Sequence, residues 1–131
     1  MITWNETMST GVPRLDEQHK MLFQKFNEFS AVISKVTARE AAGDILDFLQ
    51  FYVLWHFKEE EAYMDECQSP AAEENKRAHA EFISRFGQFY TQWQENTMTP
   101  QLANDTYLEL QNWLVKHIAL TDTRLNSHVK K

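Results

Sequence analysis

The sequence predicts an all-α protein, an up-down-up-down antiparallel four-helix bundle with a non-helical N-terminal arm, with residues 1–131 forming one domain. Three observations predict it. Glycine and proline occur only three times each, too few for the tight turns of a sheet protein. Four long stretches repeat apolar residues at spacings of three and four, the period of a helix with one buried face. The joins between them carry helix-start signals: Thr37-Ala38-Arg39-Glu40 reads as a capping box, and Ser69-Pro70 and Thr99-Pro100 each place a cap before a proline at the first helical position.

Taken in order, residues 1–16 read as the arm, because Gly11, Val12 and Pro13 interrupt any periodicity. Trp4 is expected to pack on the bundle surface, with no function assigned to it. Asp16 is expected to cap a first helix over 17–36, whose stripe is His19, Leu22, Phe26, Phe29 and Ile33. The second helix should follow the Thr37 cap and run to Glu66, burying Ile45, Leu49, Tyr52, Val53, His56, Glu60 and Tyr63. Gly43 within it costs about 1 kcal/mol relative to alanine. The third spans 70–95, with Asn75, His79, Phe82, Phe86, Phe89 and Trp93 inward. A loop over 96–99 leads to the fourth helix, 100–120, burying Ala103, Leu110, Trp113, Leu114 and His117. The remaining residues, with His128, Lys130 and Lys131, read as a polar tail.

Composition narrows the function classes. A formal charge of −6 without a basic run disfavours nucleic acid and anionic membrane surfaces as partners. No apolar stretch approaches the length of a membrane span, and no signal peptide is expected at the start. The lone Cys67 fits a reducing cytoplasm and reads as a spare thiol near a helix end. The charged outer faces lead to the expectation of a monomer.

The polar residues on the inward faces point to chemistry. His56 and Glu60 are four apart, so they stack on one helix face in a geometry suited to a metal ion. Alone, such a pair is common, and Glu59 to Glu61 suit a solvated face equally well. His19 alone reads as a hydrogen-bonded core residue. Counting along the helices joins them. His19 and His56 each lie about 17 residues, ~25 Å, from the turn between their helices, and His79 and His117 are similarly matched at about 16 residues. All four helices therefore bring a histidine to one level, near the turn between the second and third. Four histidines and a glutamate converging among apolar residues are hard to satisfy without a metal. Asp122 is five residues past His117, off its face on an ideal helix. Either the fourth helix loosens there, or the aspartate reaches in from the helix end.

These residues together resemble the hemerythrin family in its bacterial single-domain form. The resemblance covers nearly the whole chain: Trp4, Leu15-Asp16-Glu17-Gln18-His19-Lys20, His56-Phe57-Lys58-Glu59-Glu60, His79-Ala80-Glu81-Phe82, and Trp113-Leu114-Val115-Lys116-His117-Ile118 with Asp122. It implies a cofactor of two non-heme iron ions with an oxo or hydroxo bridge, and reversible binding of O2. By the resemblance, His19 and His56 hold one iron that keeps an open position. Glu60 and Asp122 bridge, and His79 and His117 belong to the second iron. Leu114 is expected to line the O2 pocket with Phe57 and Ile118 nearby, although plain core packing accounts for Leu114 equally well. The expected role is an oxygen carrier, store or supplier to an oxygen-using enzyme, with no catalytic residue assigned. A zinc-only structural site is disfavoured, because such sites take four closed ligands.

One position departs from the family pattern. The third helix should carry His-x-x-x-His, and here Asn75 stands four residues before His79. The second iron loses one histidine, and Lys76, Ala72 and the distant His128 do not replace it. Asn75 ligates weakly through its carbonyl oxygen, or holds a water. Three consequences are open: a di-iron centre with a second open position, looser second-iron binding, or a scaffold without the chemistry. The alternative functions are accordingly a di-iron redox enzyme, or an O2 or iron sensor or buffer.

Overall fold

Pro13 opens the first helix. Its fixed φ suits the first helical position, where its missing N–H costs nothing. The protein, seen in a computed structural model, is described over residues 2–33 and 39–128, with side chains through Leu125. Four helices follow in chain order: α1 (Pro13–Val32), α2 (Arg39–Glu66), α3 (Ala72–Glu95) and α4 (Pro100–Leu120). A 3-10 turn at Glu6–Met8 precedes them and another at Asp122–His128 closes the described chain. Consecutive helices pack together and α4 closes onto α1, which makes the bundle.

α1 starts four residues before the expected Glu17, and Asp16 is not its cap. The Asp16 carboxylate lies in the first turn and accepts hydrogen bonds from the Thr10 amide (2.8 Å), the Thr10 hydroxyl (2.8 Å) and the Ser9 hydroxyl (2.6 Å). It therefore ties the arm to the bundle. The predicted last turn of α1 and the Thr37 cap lie outside the described residues. Trp4 is partly buried against the bundle, with the Lys20 ammonium 4.5 Å from its ring centroid.

The third helix begins at Ala72 because Ser69 and Pro70 form the preceding turn, where the Ser69 hydroxyl accepts from the Ala71 amide. Its predicted stripe is buried throughout. The fourth begins as expected, with the Thr99 hydroxyl accepting from the Leu102 amide at 3.1 Å. Its buried face also includes Tyr107 and Gln111, while Trp113 is only partly buried. α2 is rotated from its predicted face. Ala42, Leu46, Leu49, Val53, His56, Phe57, Glu60 and Met64 are buried, and Ile45, Tyr52 and Tyr63 form a half-buried shoulder. α2 carries apolar residues on several faces, Phe48, Phe51 and Trp55 being exposed, so its sequence left the inward direction underdetermined.

The core has two parts. The larger, rich in phenylalanine, runs from Ile33 and Trp93 to Phe57 and Ile118. The smaller joins Val12, Leu15, Met64, Ala72 and Leu125 around the α2–α3 turn. Leu125 is fully buried, so the segment after α4 is a packed turn rather than only a polar tail. Between the two apolar parts runs a belt of polar side chains. No described helix is long and apolar enough to cross a membrane.

Candidate metal centre

Every helix contributes to this belt. His19 comes from α1, His56 and Glu60 from α2, Asn75 and His79 from α3, His117 from α4 and Asp122 from the turn beyond it. All are buried, and even the most accessible, His117, is only 7% exposed. His56 and Glu60 share a face because they are one turn apart, as are Asn75 and His79. Asp122 reaches the belt because α4 ends at Leu120. Thr121 closes the helix with its amide on the His117 carbonyl at 2.8 Å, and the tighter turn after it swings Asp122 inward. Of the two routes open to this residue, it reaches in from beyond the helix end.

The two carboxylates each divide their oxygens. Glu60 turns Oε2 toward His19 Nε2 (3.0 Å) and His56 Nε2 (3.3 Å), and Oε1 toward His79 Nε2 (3.2 Å). Asp122 turns Oδ2 toward His19 Nε2 (3.3 Å) and Oδ1 toward His117 Nε2 (3.2 Å). Two groups result, His19-His56-Glu60 and Glu60-His79-His117-Asp122, each with its ligand atoms within 4.8 Å of one another and with Glu60 in both. Asn75 is fully buried beside them. Its amide Nδ2 donates to Glu60 Oε1 (2.9 Å) and to Met64 Sδ (3.2 Å).

The electrostatics follow from this crowding. Burial alone would depress the His19 imidazole, but its bonds to Asp122 and Glu60 carry it up to about 10. For His56 burial prevails over its Glu60 contact, and its pKa is lowered. His79 is raised: burial opposes this, but Glu60 and Glu61 outweigh it. Burial likewise works against an ionised Glu60, yet contacts with His19, His56 and His79 hold its carboxyl well below the usual range.

Do these residues fit a metal? Five buried polar atoms of the belt make no hydrogen bond of ordinary geometry: His19 Nδ1, Asn75 Oδ1, His79 Nε2, His117 Nε2 and Asp122 Oδ1, although His79 Nε2 lies 3.2 Å from Glu60 Oε1 and His117 Nε2 lies 3.2 Å from Asp122 Oδ1. Buried polar atoms are rarely left so. Ring nitrogens and carboxylate oxygens gathered this closely could hold a cation. Imidazole and carboxylate together suit iron.

The structure also brings in residues that spacing did not suggest. His56 Nδ1 is 2.6 Å from Gln18 Oε1, and His79 Nδ1 is 2.9 Å from Glu61 Oε2. Each is the chain neighbour of a belt residue, Gln18 of His19 and Glu61 of Glu60. Adjacency to a ligand on a helix is the only signal the sequence offers for them. Trp113 stacks on His117 with ring centroids 4.8 Å apart and planes at 12°. Of the three residues expected near an O2 pocket, Phe57 lies flat on His79 (3.7 Å, 2°), while Leu114 and Ile118 are buried in the larger apolar cluster beside His117.

The comparisons with known proteins agree with one another. Residues 10–129 match the family model described as the hemerythrin HHE cation binding domain. The chain is similar to the bacteriohemerythrin of Stenotrophomonas maltophilia (strain R551-3), 25% identical over 130 residues that cover 99% of this chain and 82% of that one. It is similar to myohemerythrin-1 of Phascolopsis gouldii, 28% identical over 119 residues covering 91% and 87%. Among solved structures, a crystal structure of wild-type hemerythrin superposes with a TM-score of 0.88 at 26% identity, covering 98% of this chain and 97% of that one.

Proposed function

Because the chain belongs to the hemerythrin family, whose members hold a di-iron centre, we propose that it binds O2 reversibly as a carrier, store or supplier of oxygen. The observation that carries this reading is the division of Glu60 between two histidine groups within an otherwise apolar bundle. On this reading His19 and His56 hold one iron with Glu60. His79 and His117 would hold the other, with Glu60 and Asp122 shared between the two. When bound, the two irons supply the redox chemistry that holding O2 requires. The protein's part is placement and exclusion. His56 Nδ1 keeps its proton on Gln18 Oε1, so Nε2 is left bare to face inward. Leu114, Phe57 and Ile118 form an apolar wall that keeps water, and therefore stray protons, from the centre. No residue is assigned to catalysis.

A second reading has one specific observation in its favour. Asn75 occupies a buried position beside Glu60 and offers an amide where an imidazole would be a strong ligand. A centre short of one strong ligand suits a redox enzyme or an iron buffer better than a carrier. Iron content after anaerobic Fe(II) loading, with absorption spectra on admitting and removing O2, separates the two. The carrier reading expects two irons per chain and a charge-transfer band that forms and disappears reversibly. One iron, or a band that decays and does not return, favours the second reading. No iron overturns both. Glu60→Ala should abolish two-iron loading, and unchanged iron content would overturn the shared role of Glu60.

A further inference from the structure

The histidines of the two groups are held from behind by chemically different partners. His56 is backed by a neutral amide, Gln18 Oε1 at 2.6 Å, and His79 by a carboxylate, Glu61 Oε2 at 2.9 Å. His19 Nδ1 has no partner. His79 is also the most tightly gripped of the rings. α2 presents three successive groups to it: Phe57 lies flat against its face, Glu60 Oε1 meets Nε2, and Glu61 meets Nδ1. Phe57 and Glu61 are one helical turn apart, so one rotation of α2 sets both. A carboxylate behind an imidazole fixes the proton on the rear nitrogen and makes the forward nitrogen a stronger donor than an amide does. This reinforcement falls on the group that includes Asn75's neighbour His79, where Asn75 directs its amide N–H, not an oxygen, to Glu60.

We propose that Glu61 is a positioning residue for His79 and that the contrast between Glu61 and Gln18 makes the two metal positions unequal, strengthening the position that Asn75 leaves short of an imidazole. The inference rests on the two-metal reading above. Glu61 touches no metal itself and acts only through the His79 ring. Its side chain is 27% exposed, so replacing it by an isosteric amide leaves no cavity.

The test is a Co(II) titration, followed by visible absorption, of the wild-type chain, Glu61→Gln and Gln18→Glu. The wild type should take two Co(II) ions in two resolved steps. Glu61→Gln should weaken one step by about 10- to 100-fold and leave the other within about twofold. Gln18→Glu should strengthen the other step, which a purely structural role for either residue would not do. The melting temperature of the metal-free Glu61→Gln chain should match the wild type, which separates lost positioning from lost folding. Wild type with two steps and Glu61→Gln with both unchanged, or both weakened alike, overturns this inference alone. A wild-type chain that takes one Co(II) or none overturns the two-metal reading and this inference with it.

Discussion

Two regions of one bundle are built on opposite plans. Toward the Trp93 end, Phe29 meets Phe89, Trp93 and Tyr107 with ring centroids 6.2, 5.5 and 4.8 Å apart. The buried Tyr107 hydroxyl donates to the Phe26 carbonyl. Nothing there requires a further group. Some turns along the same helices, the belt from His19 to Asp122 leaves five buried polar atoms without a hydrogen bond. Unpaired buried polar groups each cost about 1–3 kcal/mol. The comparison teaches where the fold's stability resides: the aromatic region supplies it from packing, and the belt spends some of it until a cation is bound. Packing in the aromatic region offsets the cost of burying the belt.

Four measurements test that contrast. The largest effect is expected from Phe29→Ala, which removes a fully buried ring from the middle of the aromatic region. It should cost about 3–5 kcal/mol in denaturant unfolding of the metal-free chain. A loss under about 1 kcal/mol would mean that the aromatic region is not what holds the bundle. Next is metal loading. Anaerobic Fe(II) at about ten times its Kd should stabilise the chain by roughly 1.4 kcal/mol per site, about 2.8 kcal/mol for two, and a chelator should reverse it. An unchanged midpoint would remove the contrast from the belt's side.

Asn75→His should come third. An added imidazole beside Glu60 should tighten metal binding by about tenfold, close to 1.4 kcal/mol, and lengthen the life of the oxygenated form. Competition with a chelator and the decay of the charge-transfer band measure the two effects. No change in either would show that position 75 does not reach the metal. The smallest effect is expected from Tyr107→Phe, about 1 kcal/mol for one hydrogen bond within an otherwise unchanged stack. Urea unfolding would measure it. A loss of several kcal/mol would show that the aromatic region also depends on a polar contact.

Much of this was legible along the chain because a helix states its buried face locally. The stripe of α3, from Asn75 to Trp93, is spaced mainly by charged and polar residues, and every member is buried. Thr99-Pro100 marks its helix start by a cap that needs only neighbouring residues. α2 was less legible, since an apolar helix can face several ways, and Met64 and Phe57 lie inside where Tyr63 and Tyr52 were expected. α1 was misread at its start because Asp16 resembles a cap, although its partners, Ser9 and Thr10, lie upstream in the arm.

The helices, most of their buried faces, and the level at which His19, His56, His79 and His117 meet are written in the order of residues along the chain. This holds because periodicity and helical rise are properties of a chain segment taken alone. Helix packing settles the rest: Glu60 sends one oxygen to each histidine group, Asp122 enters through a turn beyond α4, and Glu61 and Gln18 stand behind different rings. Those outcomes depend on how far each helix is rotated about its own axis and where it stops. Packing against the other three helices sets both, and no single segment carries that information.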